Sequence, residues 1–282
     1  MTAPHPASAP SSSDAPVILL AGCGRMGSAL AQGWAASAHP PRLVILDHKL
    51  EKAPGNAPIY RQVKDLPADL APALIVLAVK PAGAAELLEA LRQHLGKGLT
   101  HSTLLSIMAG KSCADLARAC GNPDMAVIRA IPNTPSSVNA GTTGLYAGPT
   151  VSAPMKALAH QLMSDVGAVV EVPKEEDLRA VTALSGSGPA YVFLLAELLE
   201  KSGVELGLSR ETATQLARNM IYGAGKMLHD LPQSAATLRQ NVTSPNGTTA
   251  AALDVLSAPD AWPRTVPQAT RAAAKRAAEL DD

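Results

Sequence analysis

The 282-residue sequence predicts an N-terminal doubly wound, parallel α/β domain followed by an all-helical domain. Short apolar runs alternate with helix-like stretches over residues 17–172, and a chain that repeats strand and helix in this way forms a parallel sheet covered by helices. After residue 175 the chain contains long helical stretches and no strand-like run. We therefore assign residues 15–174 to the first domain and residues 175–282 to the second.

The predicted strands are apolar on both faces, which is typical of parallel strands buried beneath helices. They occupy residues 17–21, 43–46, 74–79, 103–108 and 125–130, and a further strand is predicted at 168–172. Helices are predicted between them at residues 28–37, 82–95, 112–119 and 153–165. This order of elements is that of a doubly wound α/β domain.

The second half contains predicted helices at residues 189–206, 209–228, 235–240, 248–256 and 265–280. Pro189 suits the first helical position, and Pro267 is predicted to lie in the first turn of the last helix. The helix at 189–206 is apolar nearly all round, so it has to be buried on every side. Because about one hundred residues can hardly bury it alone, we expect self-association through this domain, as a dimer or a higher oligomer of dimers.

Composition excludes several classes of function. Lys plus Arg and Asp plus Glu both number 24, and this zero net charge argues against nucleic acid and gives no support for a membrane partner. The three cysteines form no Cys-x-x-Cys pair and the histidines are scattered, so we expect no metal site and a reducing, cytoplasmic setting. Residues 1–14, rich in Pro, Ser and Ala, are predicted to be a disordered tail rather than a signal peptide.

A glycine-rich turn links the first predicted strand to the first helix. Its residues are Gly22, Cys23, Gly24, Arg25, Met26 and Gly27, which match the pattern G-x-G-x-x-G in the context that it requires. Gly22 makes the tight turn, Gly24 lets a pyrophosphate approach, and Gly27 lets helix and strand pack closely. The turn predicts a Rossmann-type domain that binds NADPH or NADH.

Asp47 closes the second predicted strand, 20 residues after Gly27. An acid at this place commonly binds the ribose hydroxyls of NAD and repels the 2′-phosphate of NADP, which favours NADH. The basic residues His48, Lys49 and Lys52 follow at once, however, and a cation among them could accept that phosphate. The residues alone leave the choice of cofactor open.

Four further polar segments lie where a ligand site is expected. Two leave predicted strands at the carboxyl edge of the sheet, where ligands bind in such folds, and comprise Val79, Lys80 and Pro81, and Asn133, Thr134 and Pro135. Two open predicted helices of the second half, and their candidate binding residues are Ser185, Gly186, Ser187 and Gly188, and Asn241, Ser244, Gly247, Thr248 and Thr249. Each helical segment suits an anion site or a plain helix cap, and spacing does not decide between them.

Taken together, these motifs resemble the pyrroline-5-carboxylate reductase family over residues 17–280. The resemblance rests on Gly-Cys-Gly-Arg-Met-Gly at 22–27, Ala-Val-Lys-Pro at 78–81 and Arg-Ala-Ile-Pro-Asn-Thr-Pro at 129–135. The most specific blocks are Val-Thr-Ala-Leu-Ser-Gly-Ser-Gly-Pro-Ala-Tyr at 181–191 and Val-Thr-Ser-Pro-Asn-Gly-Thr-Thr at 242–249. One departure is Asn246, where the family commonly has Gly; Asn tolerates the positive φ that the loop requires.

The resemblance implies hydride transfer from NADPH or NADH to the imine carbon of 1-pyrroline-5-carboxylate, which gives L-proline in the last step of proline synthesis. It also implies that the helical domain dimerises, that residues 79–81 and 133–135 flank ribose and nicotinamide, and that residues 244–249 bind the substrate carboxylate. Thr249 takes the place of the threonine that faces the imine nitrogen, so it is the candidate catalytic residue.

Two alternatives stay open. Another reductase with this domain order, of the imine-reductase or β-hydroxyacid-dehydrogenase kind, usually carries a catalytic Lys or Asp on the first long helix of the second domain. Here that helix begins Pro-Ala-Tyr-Val-Phe at residues 189–193, which disfavours it. A non-catalytic NAD(P)H-sensing protein would not need the intact loop at 244–249.

Overall fold

The computed structural model describes residues 15–281, so the predicted tail at 1–14 lies outside the described residues. The chain divides into two compact units. The first runs to Gly186 and takes up the C-terminal segment from Ala274, and the second is Ser187–Ala273. Residues 175–186 and the end of the chain thus pack with the first unit, while the functional boundary at residue 174 stays a prediction.

The first unit is built on an eight-stranded sheet. Its strands are β1 Val17–Ala21, β2 Arg42–Leu46, β3 Ile59–Tyr60, β4 Leu74–Leu77, β5 Thr103–Ser106, β6 Val127–Ile131, β7 Gly141–Ala147 and β8 Gly167–Glu171. They are ordered β3-β2-β1-β4-β5-β6-β7-β8. Neighbours pair in parallel except β6 and β7, which are antiparallel, so β7 and β8 run against the other strands.

Helices cover both faces of this sheet. They are α1 Arg25–Ala36, α2 Ala84–Leu95, α3 Cys113–Ala119, α4 Ala153–Ser164 and the short α5 Asp177–Val181. Alternate residues of β1 face opposite ways: Leu19 joins the core under α2 and α3, whereas Ile18 joins the core with Trp34 of α1. The Trp34 indole N–H donates to the Leu162 carbonyl at 2.7 Å, which ties α1 to α4. The predicted doubly wound α/β class is confirmed.

The second unit is helical. Its elements are α6 Gly188–Glu205, α7 Arg210–Asp230, α8 Ala235–Asn241, α9 Thr248–Leu256 and the start of α10 Trp262–Asp281. Helices α6 and α7 approach closely at Gly203, where a Cβ would lie 2.8 Å from the Cβ of Ala213. Ser209 caps α7 by accepting the Thr212 N–H at 3.1 Å. No residue of α6 is buried within the single chain.

Several elements differ from the sequence analysis: α1 begins at Arg25 rather than at residue 28, and α5 was not predicted. Strand β7 was not identified, because its glycines and threonines lack the apolar run of a buried strand, and pairing with β6 and β8 forms it instead. Strand β3 has two residues, too few for a periodic signal. The placement of Pro267 in the first turn is wrong: α10 begins at Trp262, and Pro267 lies inside it.

Candidate active site

The glycine turn has the shape that a bound pyrophosphate needs. Gly22 has a φ of 92°, and a Cβ there would lie 2.6 Å from the carbonyl oxygen of Ala78. A Cβ at Gly27 would collide with the carbonyl oxygen of Gly22. Gly24, by contrast, faces open space, with no atom within 4 Å of its Cβ position. Two glycines therefore allow close packing, and the third leaves an open approach to the backbone.

Helix α1 presents free backbone donors at this turn. Its N-cap is Gly24, which has no side chain to accept the first N–H groups, and no acid lies in the first turn. The uncapped N–H groups and the positive end of the helix dipole favour an anion at this place. Among the predicted turn residues, Gly24 and Arg25 are exposed, whereas Cys23 and Gly27 are buried. Because the side chain of Cys23 is buried, this residue contributes to the surface of the turn only through its backbone.

Asp47 is bonded to the glycine turn itself. Its Oδ2 accepts the Cys23 N–H at 2.7 Å, and its Oδ1 accepts the N–H groups of Lys49 and Leu50, both at 2.8 Å. Burial raises the pKa of the Asp47 carboxyl, but the backbone N–H donors outweigh burial, so its pKa lies below the ordinary value. Asp47 is an ionised group in a fixed orientation beside the turn.

The loop after β4 lies against the same turn. The Val79 Cγ1 atom is 3.0 Å from the position that a Gly22 Cβ would occupy. Lys80 and Pro81 are exposed beyond it. The structure thus brings residues 22–27, Asp47 and Val79 together at the carboxyl edge of β1, β2 and β4.

Asn133 is buried and hydrogen-bonds two other segments of the first unit. Its Oδ1 accepts the Thr142 N–H at 2.8 Å, and its Nδ2 donates to the Ser185 carbonyl at 3.1 Å and lies 3.2 Å from Ser185 Oγ. Asn133 is 8% exposed. Its amide therefore fixes the loop after β6 against β7 and the segment at Ser185. Thr134, by contrast, is exposed at the start of the next turn.

Ser185 and Gly186 end a π-helical stretch, Thr182–Gly186, which joins α5 to the start of α6. A π-helical turn is rare and is frequently found at functional sites. In the second unit, Ser187 is the N-cap of α6 without a side-chain cap bond, and Gly188 begins that helix. The Gly-Ser-Gly segment therefore leads directly into α6, where Pro189 has no N–H and the Ala190 N–H donates to the Ser187 carbonyl at 3.0 Å.

The loop that opens α9 also leaves backbone donors free. Asn246 has a φ of 56°, the positive value expected from its replacing Gly. Gly247 donates its N–H to the Ser244 carbonyl at 3.1 Å, and a Cβ at Gly247 would lie 2.5 Å from Ser244 Oγ. Gly247 is an N-cap without a side chain, so the N–H groups at Thr248 and Thr249 begin an uncapped helix. This geometry suits a carboxylate.

A buried charge cluster was missed by sequence reasoning. Arg129, in the middle of β6, is 4% exposed. Its guanidinium bonds Glu175 at 3.0 Å and lies 3.7 Å from Asp281, which also accepts from Arg179 at 2.7 Å. Glu175 accepts the Cys113 N–H at 2.7 Å as well. The cluster joins the end of α10 to the sheet. The feature of the sequence that could have indicated it is a charged residue inside an apolar strand.

Within residues 15–281, no group of three or more His, Cys, Asp or Glu side chains is placed to hold a metal ion. One segment of this range, Asp177–Glu205, is long and apolar enough to cross a membrane by length and composition alone. Only 6% of its most apolar window is buried within the chain. The exposed apolar side chains of α6 include Phe193 at 65% and Leu198 at 55%, so this helix needs a covering partner.

The fold and the glycine turn define an NAD(P)H-dependent oxidoreductase with a self-associating helical unit. The family model described as pyrroline-5-carboxylate reductase dimerisation matches residues 175–280, and that of coenzyme F420-dependent NADP oxidoreductases matches residues 17–110. The chain belongs to the pyrroline-5-carboxylate reductase family. The family identified from the sequence motifs is thereby confirmed.

Relatives and solved structures agree with this assignment. The pyrroline-5-carboxylate reductase of Pseudomonas aeruginosa is 43% identical over 73% of this chain and 74% of its own length. That of Haemophilus influenzae is 34% identical over 94% of this chain and 97% of its own. The structure of the Coxiella burnetii reductase matches with a TM-score of 0.87 at 34% identity, covering 95% of this chain and all of that one. The structure of the Plasmodium falciparum reductase, solved with NADP bound, matches with a TM-score of 0.81 at 29% identity. That match covers 95% of this chain and 98% of the Plasmodium chain.

Proposed function

We propose that this chain reduces 1-pyrroline-5-carboxylate to L-proline, with NADPH or NADH as the hydride donor. The observation that carries the proposal is the uncapped start of α9 at Gly247, followed at once by Thr248 and Thr249. A helix start of this kind binds a carboxylate, and the substrate is a cyclic imine that bears one. Family membership supplies the reaction class.

The first unit would hold the cofactor. Residues 22–27 would take the pyrophosphate, since Gly24 leaves the backbone open and α1 is uncapped. Asp47 would accept a ribose hydroxyl, and residues 79–81 and 133–135 would flank ribose and nicotinamide. Asn133 would act through its cross-links, which keep Thr134 and Pro135 in place. The bound nicotinamide supplies the hydride.

The second unit would hold the substrate. Ser244 and the N–H groups at residues 247–249 would bind the carboxylate, with Asn241 at the end of α8 as a further polar contact. Ser187 and Gly188 at the start of α6 would also contact the substrate, as would Ser185 and Gly186, which end the first unit. The Thr249 hydroxyl would face the imine nitrogen and deliver a proton that solvent replaces. Because a protonated C=N carbon already accepts hydride, alignment is the main demand on the site.

We further propose that the enzyme works in the cytoplasm as an oligomer, with no nucleic-acid or membrane partner. The apolar helix α6 supports this, because a second copy packed on it would cover the side chains that one chain leaves exposed. The dimerisation model that matches residues 175–280 includes this helix. The division into a cofactor-binding part at 15–174 and a substrate-binding part at 175–282 belongs to the same proposal.

One assay tests the reaction. Oxidation of NADPH and NADH would be followed with 1-pyrroline-5-carboxylate, and L-proline would be measured as the product. A matched substrate, 1-pyrroline without the carboxylate, should react far more slowly, because it leaves the donors at α9 unpaired. Equal rates with both imines would favour the alternative of a general imine reductase. Binding of NADPH without turnover of either imine would favour a sensor.

A further inference from the structure

A guanidinium lies beside Asp47 at the carboxyl edge of the sheet. Strand β3 pairs in parallel with β2, and the Asp47 N–H donates to the Tyr60 carbonyl at 3.0 Å. Asp47 and Arg61 therefore leave adjacent strands side by side. The Arg61 Nη1 group also donates to the main-chain carbonyl of Asp47 at 3.5 Å. This contact places a cation next to the acid expected to meet the adenosine ribose.

The Asp47 carboxylate cannot turn away from that ribose. Three backbone N–H groups hold its two oxygens, and a carboxylate has about four acceptor positions, so one position stays free for a hydroxyl. A 2′-phosphate in place of the hydroxyl would meet a fixed negative charge. Use of NADPH therefore requires a cation on the same edge of the sheet.

Arg61 has the charge and the freedom to be that cation. Its side chain is exposed, and among the described residues no carboxylate lies within ion-pair distance of it. A guanidinium presents a planar fork of N–H donors that matches phosphate oxygens, whereas the exposed Lys49 ammonium is a point charge on a flexible stem. The 3.5 Å contact with the Asp47 carbonyl uses one donor of the fork and leaves the rest of the guanidinium for phosphate oxygens.

We propose that Arg61 binds the 2′-phosphate of NADPH and, against Asp47, sets the balance between NADPH and NADH. The proposal rests on the position proposed above for the cofactor at the glycine turn. The sequence alone offers the basic residues directly after Asp47 for this role. Arg61 stands 14 residues further along and reaches the site only through the pairing of β3 with β2.

The test compares two nucleotides that differ in one phosphate, 2′,5′-ADP and 5′-AMP, by titration calorimetry on the full chain. Arg61→Gln should raise the Kd of 2′,5′-ADP by about 10- to 100-fold, the usual value of hydrogen bonds to a charged group. The Kd of 5′-AMP should change by no more than about twofold. The kcat/KM with NADPH should fall by a similar factor, while that with NADH should not. Lys64→Gln, an exposed cation three residues on, is the matched control and should change neither nucleotide.

A second variant separates this proposal from the position of the cofactor. Gly24→Val adds a side chain where no atom lies within 4 Å, at a φ of −69° that valine accepts, so it should fold and should weaken both nucleotides. Suppose that Gly24→Val weakens the binding of both nucleotides. The role proposed for Arg61 is then wrong if Arg61→Gln weakens the binding of neither nucleotide, or of both equally. If Gly24→Val also leaves both unchanged, the cofactor position is wrong and the Arg61 assignment is overturned with it.

Discussion

The carboxylate of Asp47 and the main chain of Cys23 are joined by a 2.7 Å hydrogen bond, in which the N–H of the glycine turn donates. The bond links the residue after β2 to the turn after β1. Ser28 supports the same turn, because its hydroxyl donates to the Cys23 carbonyl at 2.8 Å. Asp47 therefore shapes the turn in addition to placing a negative charge beside the proposed ribose position.

Asp47→Ser should lower kcat/KM with NADH by about tenfold or more, because the Cys23 N–H loses its acceptor and a buried donor left unpaired costs about 1–3 kcal/mol. With NADPH the loss should be smaller, since the repulsion of the 2′-phosphate disappears as well. The measurement is kcat/KM for both cofactors, with the exposed Asp69→Ser as control. A NADPH-to-NADH ratio that does not rise would show that Asp47 plays no part in the choice.

The Cys113 thiol should make the protein less stable at high pH. Burial, aided by the neighbouring Glu175 charge, raises the pKa of Cys113 from 9.0 to about 12. An unfolded thiol ionises near 9.0 while the folded one does not, so its stabilising effect is present below that pH and is lost as pH rises towards about 12. Its contribution to the loss is at most about 1.4 kcal/mol per pH unit.

Urea unfolding of the wild type and of Cys113→Ala across this range isolates the thiol. Burial also raises the pKa of Cys23 and of Cys120, and these groups titrate alike in both proteins. The free energy of unfolding should fall less steeply with pH in Cys113→Ala. Equal slopes would mean that the Cys113 thiol ionises as freely in the folded chain as in the unfolded one.

Arg129→Ala should lower the free energy of unfolding by about 3–5 kcal/mol, because it leaves Glu175 and Asp281 without the cation that they share. Asp281→Asn should cost less, since Arg179, its other partner, is 41% exposed and can be hydrated. Urea denaturation gives both values. The double change Arg129→Met with Glu175→Gln should be milder than Arg129→Ala, and a double variant that is as unstable as the single one would argue against a charge effect.

Local features of the sequence predicted most of the fold. The bounds of β1 and α9 agree with the structure residue for residue, because an apolar run bounded by turn residues and a Gly before a helix are local signals. Strand β7 carries no such signal and forms through its neighbours. Pro267 was placed too near the helix start, since Pro is usually found in the first turn.

The residues of the candidate site also divide into those with a local signal in the sequence and those that are held by long-range pairings. The glycine turn was predicted because all six residues are contiguous and its chemistry is local. The bond from Asn133 to Ser185 joins residues 52 positions apart, and Arg129 meets Glu175 at a separation of 46, so neither pairing can be deduced from spacing. The buried charge in β6 indicated that a partner was needed without indicating which one. The roles of the substrate residues remain predictions.

Phe193→Asp should weaken self-association. Phe193 is 65% exposed in the single chain and lies on α6, a helix without any buried residue. In an oligomer that covers this helix, the substitution would bury an unpaired charge. Light scattering should show a smaller species or an assembly that dissociates on dilution. Val170→Asp, at a residue 53% exposed on β8, is the control, and a normal oligomer for Phe193→Asp would rule out α6 as the interface.

Thr249→Ala should lower kcat by about 10²–10⁴, the usual effect of a positioned proton donor. Thr249 is the second residue of α9, after the Gly247 N-cap and Thr248, so its backbone N–H belongs to the uncapped first turn at which the substrate carboxylate is proposed to bind. Thr249→Ser keeps the hydroxyl and should retain much of the activity, and Thr248→Ala should be milder if the second threonine alone faces the imine. The Kd of NADPH should hardly change in all three, because the glycine turn lies in the other unit. A near-normal kcat in Thr249→Ala would mean that the proton comes from water or from an already protonated iminium, and that this loop only binds the carboxylate.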